Sequence, residues 1–334
     1  MTRRTLLVSA TAAAAINAAP RSQMGIATTS YMTARRPRDT YEFLEHAHEL
    51  GAAGIQAALS SLEPAYVKKL RSRAEQLSMY IEIMAALPKQ NDGGEFERTV
   101  AASKEAGALA VRTAALGGRR YETFASLQAW REFVTDSMAR IDRALPVMEK
   151  HNLPLALENH KDWTTDEMVS LLKQRSSEHL GVCLDTGNNI SLLDDAMSTV
   201  EALAPFARST HIKDMGIRPY EDGFLLSEMP LGEGMLDMRR IVETIRRASP
   251  HTRMTLEMIT RNPLRVPCLT DRYWATFPHR SGLYLARTLR LAAEQTKRLA
   301  LPTVDHLPKE ALYRLEEDNV KQCLHYARER LDLA

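Results

Sequence analysis

Four residues stand where a short apolar or β-branched run ends: Glu158 in LALENH, Asp185 in VCLDTGN, His211 in STHIKD and Glu257 in MTLEM. Taken singly, each has an ordinary explanation, because strands open into loops and loops are polar. Brought together they would mean something else. Three carboxylates packed around an imidazole repel one another and are costly to bury unless a cation neutralises them. Such a set is rich in oxygen with a single nitrogen, which suits Mn2+, Mg2+, Co2+ or Zn2+ and poorly matches a thiolate-seeking metal. The chemistry on offer is therefore one divalent metal ion with carboxylates beside it.

For these residues to meet, the runs that carry them must be neighbouring strands that point the same way. Short apolar runs do alternate with amphipathic segments along the chain. The runs cover 23–31, 52–59, 79–87, 108–116, 153–159, 180–186, 208–214 and 252–258. Helical spacing is read over 38–50, 63–77, 95–106, 122–151, 164–175, 191–204 and 235–248. Runs this apolar fit parallel strands covered by helices on the outside. Eight of them predict an α/β fold, a single (β/α)8 TIM barrel over 23–270. A doubly wound open sheet would want a glycine-rich phosphate turn after the first strand, and GIATTSY has none. In such a barrel the active site lies at the C-terminal strand ends, where the four residues fall. Beyond residue 270 the strand pattern stops. Residues 281–300 and 308–333 read as helices of a C-terminal helical extension spanning 271–334, either a cap or oligomer surface or helices packed on the barrel's own.

Composition narrows the partners. The chain has 334 residues, 44 basic against 42 acidic, for a net charge of +2. That argues against a nucleic-acid surface or a polybasic membrane patch. Cys183, Cys268 and Cys323 are far apart and odd in number, so neither a disulfide framework nor a C-x-x-C site is expected. The first 22 residues differ from the rest. MTRRTLLVSATAAAAINAAP has a basic start, an apolar Ala-rich stretch and small residues before Pro20, the layout of a secretory signal. Its Thr-Arg-Arg-x-Leu-Leu resembles a twin-arginine export motif. Export to the periplasm or medium is expected, with Ala18 a better cleavage point than Ala19, which Pro20 follows; a chain whose leader does not function would stay cytoplasmic. No other stretch is long and apolar enough to cross a membrane, so the mature chain is expected to have no membrane association. A homo-oligomer is a general expectation for barrels of this size.

The four strand ends, with HIKD at the seventh and LDT at the sixth, resemble the xylose-isomerase-like barrel superfamily, which includes sugar isomerases and epimerases. PLGEGMLDMRRIVETIR (230–246) adds the G-x-G turn that often precedes the last helix before the eighth strand. The resemblance spans roughly residues 24–262. It implies that Glu158, Asp185, His211 and Glu257 bind the metal and that Glu158 and Glu257 also form the acid/base pair. Two departures stand out. Asn188 in LDTGNN occupies the place where ketose 3-epimerases of the group carry a histidine, and 259–278 has no counterpart in a well-characterised member. The DNA-repair endonucleases that share the barrel use a three-zinc, His-rich cluster, and the second and third strand ends here, AALSS and AALPK, carry no histidine.

A metal of this kind chelates the carbonyl and hydroxyl oxygens of a carbohydrate and stabilises the enediolate formed when a neighbouring proton leaves. Carboxylates on both faces of that carbon permit isomerisation or epimerisation of a keto- or aldo-carbohydrate. The same intermediate allows a lyase, dehydratase or decarboxylase reaction on a 3-oxo sugar, 3-oxo glycoside or sugar acid. A non-catalytic exported carbohydrate-binding protein is the reading of another class, and it has no need of two opposed carboxylates. Substrate contacts are expected from His160 and Lys161 after the fifth strand, Asn188 after the sixth, and Lys213, which shares the face of His211. Arg218 and Arg261 follow the seventh and eighth strands and could bind a carboxylate or phosphate. Tyr31, Trp163, Tyr273, Trp274 and Phe277 are candidate walls of a sugar pocket or simply core.

Overall fold

In the computed structural model, residues 20–33, 36–92, 94–298 and 300–334 are described; most of the leader-like segment, residues 1–19, lies outside them. Among the described residues, eleven strands occur in chain order. They are β1 (Gly25–Ala27), β2 (Gly54–Ala57), β3 (Tyr80–Met84), β4 (Val111–Thr113), β5 (Leu155–Glu158), β6 (Leu180–Asp185), β7 (Ala207–His211), β8 (Asp214–Tyr220), β9 (Gly223–Met229), β10 (Thr255–Leu256) and β11 (Leu264–Val266). Eight of them form a parallel sheet in the order β10, β1, β2, β3, β4, β5, β6, β7. The ring closes between β7 and β10 through an Ile212–Leu256 bridge. There the Ile212 N–H donates to the Thr255 carbonyl at 2.8 Å, and the Glu257 N–H donates to the Ile212 carbonyl at 3.1 Å. Each of the eight predicted runs contains or overlaps one barrel strand, and the fold is the expected TIM barrel.

The helices outside the ring start where local chemistry directs. Asp39 caps Thr40–Glu49 by accepting from two backbone N–H groups, and Pro64 opens Pro64–Leu77, where it needs no N–H partner. Thr164 and Glu167 form a capping box on Thr165–Arg175. Helix Lys309–Arg330 buries Val320, Cys323, Leu324 and Ala327 in the barrel's main apolar cluster. It therefore packs as a barrel-wall helix, and residues 259–308 form an insertion between it and the eighth strand.

The hairpin was not anticipated. Strands β8 and β9 pair antiparallel through a tight turn at Glu221–Asp222, and β11 adds a third strand. Gly223 has φ +153°, and a Cβ there would collide with the Val266 carbonyl, so glycine is required. Ile217, Phe224, Leu226 and Val266 form a second apolar cluster, on which helix Gly282–Gln295 lays Ala292, Leu285 and Leu289. The side chain that begins the hairpin also holds the glycine turn noted in the sequence. Asp214 accepts from the backbone N–H groups of Gly232, Gly234 and Leu236 at 2.9–3.0 Å.

Arg120 pins the insertion to the barrel. Its guanidinium, 2% exposed, donates to Glu167 at 2.7 Å, to the Asp162 carbonyl at 3.1 Å and to the Thr276 carbonyl at 2.6 Å. It also lies 3.7 Å over Trp130 and 4.1 Å over Phe277. Arg120→Ala leaves the buried Asp162 and Thr276 carbonyls without this donor and removes the stacking on Trp130 and Phe277, and should cost about 2–3 kcal/mol in urea denaturation. Arg120→Lys should recover little, because an ammonium cannot reproduce the planar fork. A loss below about 1 kcal/mol would contradict the clamp. Among the described residues, no helix is long and apolar enough to cross a membrane, and the three cysteines are free and buried.

Candidate metal and catalytic site

The barrel ends its strands on the four residues singled out above. Glu158, Asp185 and His211 close β5, β6 and β7, and Glu257 follows β10 directly. Asp185 stands beside His211 in the register, and Glu158 beside Cys183, so one pleat phase turns all three to the same side. They are 0% exposed and Glu257 is 4%. One ligand atom from each lies within 4.8 Å of every other. The His211 Nδ1 is 3.5 Å from Glu158 Oε1, 3.7 Å from Asp185 Oδ2 and 3.3 Å from Glu257 Oε1.

Residues lower in the barrel aim the imidazole. The Gln56 amide donates to Glu82 and to the Ser209 hydroxyl, each at 3.0 Å. Its oxygen is thereby left to accept from His211 Nε2–H at 2.6 Å. That fixes the proton on Nε2 and turns Nδ1 toward the carboxylates. Glu82 itself is fully buried, and burial raises its carboxyl against hydrogen bonds from Ser209, Gln56 and Thr255. Both His211 Nδ1 and Asp185 Oδ2 are enclosed without a hydrogen-bond partner. Two buried ligand atoms without hydrogen-bond partners, set among three carboxylates, fit a cation, either a proton on Nδ1 or a metal ion in its place, better than any neutral occupant. These four residues could hold a divalent metal ion.

Cations from neighbouring strands hold the carboxylates in place. Arg112 of β4 donates to Glu158 Oε2, and Asn188 donates to Glu158 Oε1 at 3.0 Å. The Lys213 ammonium pairs with Glu257 Oε2 and lies 2.8 Å from Asp185 Oδ2, off hydrogen-bond alignment. Thr29 donates to Glu257 Oε1 at 2.7 Å. Burial acts against ionisation of Asp185, but Lys213 and His211 outweigh it and bring the carboxyl to about 2. Glu257 is likewise held well below the carboxylate range by His211 and Lys213 against burial. Burial opposes charge on His211, yet Cys183, Glu257 and Asp185 carry its imidazolium up to about 10 in the metal-free protein.

The expected substrate contacts divide. Lys161 is 4% exposed and donates to Asn188 Oδ1, which also lies 3.5 Å from Lys213. Its ammonium is drawn down to about 7 by burial, then by Lys213 and Arg261. His160 is half-buried with Nδ1 enclosed, and burial, Lys161 and Arg112 push it well below the ordinary imidazole range. Arg261 pairs with the buried Glu228 of β9. Arg218 is not brought in: it lies exposed on β8, where the hairpin carries it outward. Trp163, Tyr273 and Phe277 are buried in aromatic contacts with Trp130, Tyr121 and each other, as core packing predicts. Tyr31 packs on Phe43 and His46, and the Trp274 indole donates to the Cys268 carbonyl. Sequence reasoning missed Arg112, Gln56, Glu82, Thr29 and Glu228. The signal for three of them was visible as a polar residue inside an apolar strand, in AVRTA, GIQAA and YIEIM.

A model of the xylose isomerase-like TIM barrel family matches residues 44–275. The 3-oxo-isoapionate decarboxylase of Pectobacterium atrosepticum is 29% identical over 209 residues, 61% of this chain and 71% of that protein. Among solved structures, an L-ribulose 3-epimerase superposes with a TM-score of 0.57 at 16% identity, covering 93% of this chain and 97% of the other. A xylose isomerase-like TIM barrel protein of Mycobacterium smegmatis in complex with magnesium gives 0.56 at 16% identity, over 80% and 98%. At these identities the structural likenesses speak for the fold. The family match covers most of the barrel and includes all four strand-end residues, and the chain belongs to the xylose isomerase-like TIM barrel family.

Proposed function

We propose that the chain is a divalent-metal-dependent carbohydrate isomerase or epimerase that moves a proton at the carbon beside a carbonyl, with Glu158 and Glu257 as the acid/base pair. The observation that carries this is the arrangement of the two carboxylates. They come from the fifth and eighth barrel strands, and each turns Oε1 toward the His211 Nδ1 while a cation holds Oε2. A metal held by Glu158, Asp185, His211 and Glu257 would supply Lewis-acid polarisation of the carbonyl oxygen. The chain's own part is positional. Arg112 and Lys213 fix the outer carboxylate oxygens, Thr29 and Asn188 orient the inner ones, and Gln56 keeps the imidazole from turning. The family and the named relatives support a small carbohydrate as substrate.

A second reading, a lyase, dehydratase or decarboxylase, draws on a separate observation. Both carboxylates are paired with cations that favour the ionised form, so in the resting site neither carries the proton that epimerisation must deliver to the face opposite the base. Loss of CO2 forms the enolate without removal of a C–H proton and needs one protonation afterwards, and loss of a β-substituent consumes the enolate without returning a proton to carbon. The relative named as a 3-oxo-isoapionate decarboxylase supports it as well.

Solvent exchange separates the two. The Mn2+-loaded protein is incubated in D2O with ketoses, 3-oxo glycosides and 3-oxo sugar acids. Deuterium beside the carbonyl with all carbons and oxygens retained is the expected result. Release of CO2, water or an aglycone would replace it by the lyase reading. Failure of the purified chain to take up about one equivalent of Mn2+ would remove both.

A further inference from the structure

We infer that the substrate is a sugar acid and that its carboxylate is received by Lys161, at a subsite one amide away from the metal-ligand cluster. This rests on the enzyme reading above and names its substrate class. The first support is how the cations at the barrel mouth are partnered. Arg112 is matched to Glu158, Lys213 to Asp185 and Glu257, and Arg261 to Glu228. Lys161 is different. Its ammonium is as deeply buried as theirs, yet it donates to the neutral oxygen of Asn188, and among the described residues no carboxylate lies within 4.0 Å of it. A buried charge without a counter-charge is costly, and an arriving anion removes that cost. Burial, then Lys213 and Arg261, weakens its hold on a proton, with Glu228 and Asp185 acting the other way, as expected for a cation short of a partner.

The charge balance points the same way. Around the mouth the four carboxylates of Glu158, Asp185, Glu257 and Glu228 equal in number the basic side chains Arg112, Lys161, Lys213 and Arg261, although Lys161 lies against none of them. A divalent metal on the four ligands then leaves the pocket positive. A neutral sugar would leave that excess unanswered, whereas a carboxylate answers part of it.

Position decides between anions. Asn188 accepts from Lys161 with its oxygen and donates to Glu158 Oε1 with its nitrogen, so the ammonium and the acid/base carboxylate are held by opposite ends of one side chain. An anion on Lys161 therefore belongs to a carbon near the reacting carbonyl. A carboxylate can sit there. The phosphate of a sugar phosphate hangs on a terminal oxygen, several bonds from that carbon.

Calorimetric titration of the full chain loaded with Mn2+ tests this without turnover. D-gluconate, D-xylonate and D-erythronate are compared with sorbitol, xylitol and erythritol, with glucose 6-phosphate as a third arm. Aldonates should bind about tenfold tighter than the matched alditols or better, the equivalent of one charge-assisted hydrogen bond. Lys161→Gln should erase the preference while Mn2+ affinity is unchanged, and Lys161→Arg should keep part of it. Alditols binding as well as aldonates in the unaltered chain would overturn the inference, whether or not any variant folds. So would a preference that survives in Lys161→Gln, or one for glucose 6-phosphate alone. Loss of Mn2+ binding in the unaltered chain would instead sink the enzyme reading, so the two failures are distinct.

Discussion

Glu257→Gln is expected to fold, and to lose turnover by about a thousandfold or more, within the range that a positioned acid/base group contributes. The argument is one of atoms. Glu257 Oε1 accepts from Thr29 at 2.7 Å and faces His211 Nδ1 at 3.3 Å, while Oε2 accepts from Lys213. A carboxylate offers acceptors in both directions, and an amide of the same size offers one. If its oxygen keeps Lys213, the NH2 group points at the place where His211, Glu158 and Asp185 converge, and a cation there is repelled. If the amide turns over, two donor groups meet at Lys213. Neither orientation leaves a base beside a bound carbohydrate. The backbone has less to lose, because Lys213 keeps Asp185 2.8 Å away and Thr29 can donate elsewhere. Circular dichroism should show the parent fold, and the D2O exchange assay should show no label above background. Glu228→Gln is the control, since Glu228 pairs with Arg261 outside the four-ligand cluster. It should perturb binding far more than chemistry. A fully active Glu257→Gln would refute the acid/base assignment.

Much of this site is legible in the sequence alone, for a reason that applies to barrels in general. Parallel strands buried on both faces are written almost wholly in apolar residues, so a charged residue at the end of one stands out. Four of them in successive strands revealed Glu158, Asp185, His211 and Glu257. The groups that hold them were harder to find. Arg112, Gln56 and Glu82 sit inside strands, and what a buried polar residue pairs with depends on neighbours distant in the chain. Gln56 meets His211 and Ser209 across more than 150 residues. Arg218 failed differently. Alternation from His211 put Lys213 on the right side, but after Asp214 the chain leaves the barrel for a hairpin, and strand phase no longer points to the pocket. Helix Lys309–Arg330 shows the limit of amphipathic reading. Its apolar stripe said that one face is covered, and only the packing of Val320, Cys323 and Leu324 showed that the barrel covers it.

Metal affinity should fall about tenfold for each pH unit of acidification between roughly pH 9 and pH 6, because a proton and the metal compete for one nitrogen. The Nε2 position is taken: its hydrogen is donated to Gln56 Oε1 at 2.6 Å, and Gln56 cannot turn without losing Glu82 and Ser209. The titrating atom is therefore Nδ1, which faces three carboxylates within 3.7 Å. An ordinary histidine is half deprotonated at about pH 6.5, so metal binding would be nearly flat above about pH 7.5. Here burial works against the imidazolium, but Cys183, Glu257 and Asp185 hold it up to about 10. The sign for folding follows. A base whose proton is held more tightly in the folded state stabilises the metal-free protein fully below about pH 6.5, and that contribution is lost as the pH rises toward 10. Raising the pH should thus lower the Tm of the metal-free chain while it strengthens metal binding, and the gap between the two melting curves should widen from pH 6 to pH 9. Calorimetric Mn2+ titrations across that interval, with the released proton counted in buffers of different ionisation enthalpy, measure the same linkage directly. One proton released per metal is the expected count. An affinity independent of pH over this interval, with no proton released, would mean that Nδ1 carries no proton for the metal to displace and that the carboxylates are balanced by Arg112 and Lys213 alone.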